Sequence, residues 1–168
     1  MRKRLTLLRH AKSSYRDFGL SDHDRPLSPR GERDAPAMGK RQVDDGVRPS
    51  LILTSTAVRA RQTARLFAQA TGYPREFVQS ERGLYLAEPN AILEIVGLQD
   101  DSFNAITVCG HNPGITELAC ILSRTHIDNV PTSGIVILDA EIESWEQAER
   151  ARWSLVKFDY PKKVSSTD

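Results

Sequence analysis

Leu5-Thr6-Leu7-Leu8-Arg9-His10-Ala11-Lys12-Ser13 carries a short apolar run straight into an arginine and a histidine. An apolar run of this length with polar residues on either side is the pattern of a strand buried on both faces, as in a parallel sheet. The pattern returns twice. Leu51-Ile52-Leu53-Thr54 leads into the segment from Ser55 to Arg59, and Ala105-Ile106-Thr107-Val108-Cys109 leads into Gly110-His111-Asn112-Pro113-Gly114. Two of the four histidines in the chain therefore follow apolar strands directly, in equivalent positions.

Helical signals fill the intervals. Ser28-Pro29 is a helix start, serine as N-cap and proline at the first helical position; this helix is expected to run to Asp45, with Gly46 as its stop. A second helix is expected from Thr56 to Ala70, closed by Gly72 and Pro74. Further helices are predicted over Pro89 to Leu98 and Ile115 to Leu122, a short strand at Phe77-Val78, and two closing strands at Gly134 to Leu138 and Trp153 to Phe158. The stretch from Ala11 to Leu27 is polar and irregular, centred on Asp22-His23-Asp24-Arg25-Pro26. Alternating strands and helices predict an α/β fold, a mainly parallel central sheet with helices on both faces. We expect one domain over residues 1–160 and a polar tail over 161–168. In such sheets ligands bind beyond the carboxyl ends of the strands. That rule puts Arg9-His10, the segment from Ser55 to Arg59, and His111 side by side.

The bulk composition narrows the class. The chain has 168 residues, 23 basic and 22 acidic side chains and a net charge of +1. That balance speaks against a broad nucleic-acid-binding face. No stretch approaches the roughly 20 apolar residues of a membrane helix. The basic start and the apolar run after it are too short for a secretion signal, and Arg9 interrupts them. Cys109 and Cys120 match no zinc or redox spacing, so they read as reduced thiols of a cytoplasmic protein.

Histidine after one strand and arginine after another suit phosphoryl transfer. A neutral imidazole can attack phosphorus, and its free pKa of about 6.5 falls further beside cations. The non-bridging phosphate oxygens need neutralising in the transition state. Arginine does this with a planar fork of donors matched to two oxygens at once. Arg9 stands beside His10, and Arg59 stands in the first turn of the helix after the second strand, closer to its start than Arg61. Other chemistries fit poorly. Asp22, His23 and Asp24 are adjacent, and adjacent residues seldom converge on one metal ion. Pro26 stands where an aspartyl phosphatase would need threonine. The sixth residue after Cys109 is Ile115 and after Cys120 is His126, where a cysteine phosphatase needs arginine. No glycine-rich loop ends in Lys-Ser/Thr, so no nucleotide P-loop is present. We expect no metal and no cofactor.

Three blocks carry a resemblance to a known family. Leu7-Leu8-Arg9-His10-Ala11-Lys12-Ser13 resembles the strand-plus-Arg-His signature of the histidine phosphatase superfamily, which includes the cofactor-dependent phosphoglycerate mutases. Thr54-Ser55-Thr56-Ala57-Val58-Arg59-Ala60-Arg61-Gln62-Thr63-Ala64 resembles its second block, and Val108-Cys109-Gly110-His111-Asn112 its third. Asp24-Arg25-Pro26-Leu27-Ser28-Pro29-Arg30-Gly31, with the short chain, resembles the small SixA-type phosphohistidine phosphatases. The resemblance implies a phosphoglycerate mutase-like three-layer sandwich. It implies that His10 is the nucleophile, that Arg9 and Arg59 bind the phosphate, and that His111 donates a further hydrogen bond. Ser13, Arg25 and Asn112 are candidate substrate contacts, Asn112 with the alternative of orienting His111 or capping the helix that follows, and Lys12 and Arg16 are candidate rim residues.

The departures bear on substrate. Ala11 stands where the mutases carry glycine, and Arg16 where they carry asparagine. Larger relatives supply a glutamate as general acid after the second block, but Arg82-Gly83-Leu84-Tyr85-Leu86-Ala87 has no acid there, and Glu88 is expected to start the next helix. An alkoxide leaving group depends on such an acid for roughly a hundred- to ten-thousandfold in rate. An imidazole leaves neutral once its ring is protonated and needs far less help. Asp22, Asp24 and His111 are the weak substitutes on offer. The expectation is a phosphohistidine phosphatase acting on a phosphorylated protein, a phosphorelay domain among the candidates, with no nucleic acid or membrane as partner. The alternatives are a small-molecule phosphomonoesterase of the same superfamily and a non-catalytic phosphate-binding module.

Overall fold

A computed structural model describes residues 1–163, so the polar tail assigned from the sequence lies outside the described residues from 164 onward. The strands are β1 (Arg2–Arg9), β2 (Leu51–Ser55), β3 (Gln79–Glu81), β4 (Ala105–Gly110), β5 (Ile135–Glu141) and β6 (Ser154–Asp159). The helices are α1 (Pro29–Asp44), α2 (Val58–Thr71), α3 (Pro89–Gly97) and α4 (Gly114–Ser123).

The six strands lie in the order β3-β2-β4-β1-β5-β6. Pairs β3/β2, β2/β4 and β4/β1 are parallel, and β5 runs antiparallel to both β1 and β6. The sheet is thus mainly parallel, as expected, with β1 and β4 at its centre. Burial on both faces explains their sequences. On one face Leu5, Leu7, Ile106 and Val108 pack with Ile115 and Leu118 of α4, Ile92 and Val96 of α3, and Trp145. On the other, Leu8, Ile52 and Cys109 pack with Met38 of α1 and with Ala60, Ala64 and Phe67 of α2. Two helices on each face make three layers.

The helix punctuation holds. Ser28 Oγ accepts the Gly31 amide with Pro29 at the first helical position, and Gly46 and Gly72 take φ of +80° and +79° just past α1 and α2. Two further glycines are fixed by crowding beside the strand ends. A Cβ on Gly31 would meet the Lys12 carbonyl oxygen at 2.2 Å, and one on Gly114 the Ala87 carbonyl oxygen at 1.9 Å. Each lets a helix start sit directly against a loop that flanks the cleft.

The strand expected at Phe77-Val78 is displaced. Arg75–Phe77 form a single 3₁₀ turn after Pro74, and β3 follows at Gln79–Glu81, paired only with Leu53 to Ser55. Phe77 is exposed, so its apolar character marked no buried strand here.

Candidate active site

The parallel register delivers the key side chains. Arg9 of β1 pairs with Gly110 of β4, and the His10 amide extends the ladder by donating to the Gly110 carbonyl at 3.1 Å. His10 and His111 therefore leave adjacent strand ends together, their ring centroids 5.1 Å apart. β2 ends at Ser55, and α2 opens without a side-chain cap, which places Arg59 in its first turn. Arg59 is only 3% exposed and reaches both rings: Nε lies 3.4 Å from His10 Nε2, and Nη2 lies 3.4 Å from His111 Nδ1.

The hydrogen bonds fix the tautomer of His10. His10 Nδ1 lies 2.8 Å from the Ala11 carbonyl, which can only accept, so Nδ1 carries the proton. That leaves a lone pair on Nε2, facing the Arg59 N–H. Burial, with the charges of Arg59, Arg9 and Arg25, pushes the His10 pKa down to about 4, so the ring is neutral at neutral pH. Burial and the neighbouring His10 and Arg59 lower His111 to about 3. His111 Nε2 lies 2.7 Å from Ser55 Oγ. A hydroxyl can donate or accept, so Ser55 supports either neutral tautomer of His111.

The remaining expected residues divide. Arg9 is anchored by Nη1 on the Val130 carbonyl at 3.0 Å, while its buried Nε has no hydrogen-bond partner among the described residues. Ser13 and Arg25 come to the rim but meet each other, Arg25 Nη1 donating to Ser13 Oγ at 2.7 Å. Arg25 also stacks on Tyr15, 4.0 Å from the ring centroid. Lys12 and Arg16 are exposed. Asn112 departs from the expectation of a substrate contact. Its Nδ2 donates to Asn129 Oδ1 and the Val130 carbonyl, and its Oδ1 accepts from Thr116 N and Oγ1. All its side-chain donors and acceptors serve the start of α4 and the loop at Val130, the helix-capping alternative, so the side chain has none left for a phosphate. Asp22, His23 and Asp24 do not share one point: His23 Nδ1 lies 3.2 Å from Asp24 Oδ1, but Asp22 turns away from both. Asp22 faces Arg59 and Arg25, and His23 faces Thr56. Cys109, buried next to the cleft, is pushed up to about 12 and is no thiolate.

Four positions acquire roles that the sequence did not reveal. Thr63 Oγ1 accepts the Ala11 amide at 2.9 Å and donates to the Arg59 carbonyl at 2.7 Å, tying α2 to the end of β1. Ser55 supports His111. Asp22 receives Arg59 Nη2 at 3.0 Å, and Tyr85 Oη donates to the same Asp22 oxygen at 2.6 Å. Tyr85, Arg25 and Arg59 together hold the Asp22 carboxyl well below the usual carboxylate range, so it is ionised and is no general acid. The sequence signal for Tyr85 was its place in the stretch searched for an acid; Asp22 stood among the candidate substitute acids, but nothing in the sequence marked it as a partner of Arg59.

Two neutral imidazoles sharing one buried guanidinium at the carboxyl ends of a parallel sheet are the framework of a histidine-type α/β phosphatase. Comparison with known proteins agrees. Residues 5–84 match the model of the histidine phosphatase superfamily (branch 1). Rv1276c of Mycobacterium tuberculosis, a relative with no assigned activity, is 35% identical over 165 residues, which cover 92% of this chain and 100% of the relative. A solved structure from Agrobacterium tumefaciens, provisionally assigned as the phosphohistidine phosphatase SixA, superposes with a TM-score of 0.79 at 29% identity, covering 95% of this chain and 98% of that one. The protein histidine phosphatase SixA solved with tungstate shares the fold, with a TM-score of 0.80 at 18% identity over 94% of this chain and 97% of that one. The chain belongs to the histidine phosphatase superfamily and is a phosphatase of the histidine-nucleophile class. Among the described residues no helix is long and apolar enough to cross a membrane.

Proposed function

We propose that the chain hydrolyses phosphohistidine on a protein through a covalent phospho-His10 intermediate. The observation that carries this reading is that His10 Nε2 and His111 Nδ1 face the same edge of Arg59 at 3.4 Å each, a gap framed by two ring nitrogens and two N–H donors. The lone pair on His10 Nε2 attacks phosphorus as the substrate P–N bond breaks, and the protonated substrate ring leaves as neutral imidazole. Arg59 and Arg9 neutralise the equatorial oxygens. Arg59 Nη2 can only donate, so His111 Nδ1 accepts from it until phosphate takes that N–H; His111 then carries its proton on Nδ1, accepts from Ser55 Oγ at Nε2 and donates to the phosphate. Water then cleaves the phospho-His10 bond, releasing phosphate and restoring the nucleophile. Dividing one displacement into two is ordinary covalent catalysis.

What surrounds the gap supports this substrate class. The carboxylate that reaches the cluster, Asp22, is ionised and held by Arg59, Arg25 and Tyr85. A phosphoester would shed its alkoxide unaided there, whereas a phosphoramidate would not suffer. The likeness to the Agrobacterium structure, at 29% identity, supports the same choice. We take the reaction to need no metal, the guanidinium groups supplying the positive charge, and to run in the cytoplasm, where free Cys109 and Cys120 stay reduced.

The test is to incubate the chain with a protein carrying labelled phosphohistidine, in chelator, and to trap an acid-labile phosphoenzyme. We expect label on the parent and none on His10→Ala. Undiminished turnover by His10→Ala would overturn the nucleophile. Faster turnover of phosphoserine than of phosphohistidine would make the chain a phosphomonoesterase, and anion binding without turnover would make it a binding module.

A further inference from the structure

A guanidinium group has two hydrogen-bonding edges, an end-on edge made by Nη1 and Nη2 and a side edge made by Nε and Nη2. In Arg59 the two edges have different partners. The end-on edge rests on Asp22: Nη1 donates to its main-chain carbonyl at 2.6 Å and Nη2 to its Oδ2 at 3.0 Å. The side edge faces the two imidazoles, with both contacts at 3.4 Å. Contacts of 2.6 to 3.0 Å are strong, and those at 3.4 Å lie at the weak limit of a hydrogen bond. The group is therefore gripped from one side and left loosely committed on the other, toward the cleft.

Asp22 is itself held from outside α2. Tyr85 Oη donates to Oδ2 at 2.6 Å, and Arg25 donates to Oδ1 from Nε at 3.3 Å and from Nη2 at 3.1 Å. The Tyr85 ring meets His111 edge-on at 5.4 Å and His23 at 4.9 Å, so the support of Asp22 is packed against the second histidine. The carboxylate thus ties two segments outside α2, its own turn through Arg25 and the loop of Tyr85, to the helix carrying Arg59.

We propose that Asp22, braced by Tyr85, is a positioning residue that aims the side edge of Arg59 at the transferring phosphate. A free arginine side chain samples many rotamers, and holding it before the phosphate arrives removes that ordering cost from the chemical step. The competing reading makes Asp22 a stand-in anion that phosphate must displace. The edges speak against it, because Asp22 occupies the edge turned away from the histidines. The proposal rests on the phosphatase reading above but concerns the aim of Arg59, not the identity of the substrate.

The experiment compares the full chain with Asp22→Asn, Tyr85→Phe, Arg59→Ala and the Asp22→Asn/Arg59→Ala double variant, in turnover and in inhibition by vanadate. Displacing a catalytic group by an ångström costs about a hundredfold. We expect Asp22→Asn to lower kcat by about thirty- to a hundredfold with KM within about threefold, and Tyr85→Phe to lower kcat by about three- to tenfold. In the Arg59→Ala background Asp22→Asn should cost less than about twofold, because coupled residues are non-additive. Tighter vanadate inhibition or faster turnover by Asp22→Asn would make Asp22 a competing anion. Losses that multiply in the double variant would mean that Asp22 acts without Arg59. Should Asp22→Asn fail to fold, an unchanged kcat in Tyr85→Phe overturns the proposal alone. If Arg59→Ala and His10→Ala both retain parental turnover, it is the phosphatase reading that falls; if they lose it and Asp22→Asn does not, only the positioning role falls.

Discussion

The two flanks of the cleft hold their arginines by different means. On the α2 side, Arg59 rests on the charged side chain of Asp22, which Tyr85 and Arg25 hold in turn. On the β5 side, Arg9 rests on a main-chain carbonyl, that of Val130, in a loop whose Ser133 amide binds back to the Arg9 and His10 carbonyls. Asn112 secures the same loop, since its Nδ2 also donates to the Val130 carbonyl. One flank is built from ionised side chains, the other mainly from backbone. A charged anchor can be removed by one substitution, and its loss changes the electrostatics of the cleft. A backbone anchor survives most substitutions of its own residue and is weakened only through the groups that hold the loop in place.

The comparison breaks most sharply at Arg59. Arg59→Ala should cost a hundred- to a thousandfold in kcat, about 2.7–4 kcal/mol, as for loss of one oxyanion donor. Arg61→Ala, one step farther along α2, should change kcat less than about threefold. Steady-state kinetics on both variants checks this, and equal losses would unseat Arg59 as the phosphate ligand.

A second prediction uses the charge on the α2 side. Buried beside Arg59, His10 should stay neutral until the pH approaches about 4, well below its ordinary value of 6.5. The sign follows from linkage. Between pH 6.5 and about 4 the unfolded chain takes up a proton at this ring and the folded chain does not, so this contribution to stability is present above 6.5 and is lost as the pH falls toward 4. Imidazole resonances followed by NMR should show the His10 midpoint near 4, and a midpoint at 6.5 would mean that the ring is solvated.

The smallest effect belongs to the other flank. Asn112→Ala removes the acceptor for Thr116 N and the donor to Val130, and should cost about 1 kcal/mol of stability, as the loss of a helix cap does. Its kcat should fall less than that of Arg59→Ala, because the Val130 carbonyl still faces Arg9. Denaturant unfolding and kinetics on this variant check both halves, and a loss matching that of Arg59→Ala would erase the contrast between the flanks.

Some of this molecule is local in its sequence. Apolar runs such as Leu5 to Leu8 are readable because a strand buried on both faces admits little else, and Ser28, Pro29, Gly46 and Gly72 mark helix ends through backbone conformations that need no distant partner. The strand ends carrying His10, Arg59 and His111 follow from the same runs, since parallel strands open their carboxyl ends on one edge. The short strand expected at Phe77-Val78 lies just beyond it, because Phe77 closes an exposed 3₁₀ turn and only pairing with β2 sets β3 at Gln79–Glu81. Asn112 stood next to His111 in the sequence, but its geometry turned its amide to Thr116 and Val130. The grip on Arg59 comes from Asp22 and Tyr85, 37 and 26 positions away along the chain. Sequence determined which groups leave the strand ends, because strand burial is a property of a few neighbouring residues. Tertiary structure alone decided how those groups are aimed, because a hydrogen bond between distant loops depends on angles and ångström separations that no local pattern encodes.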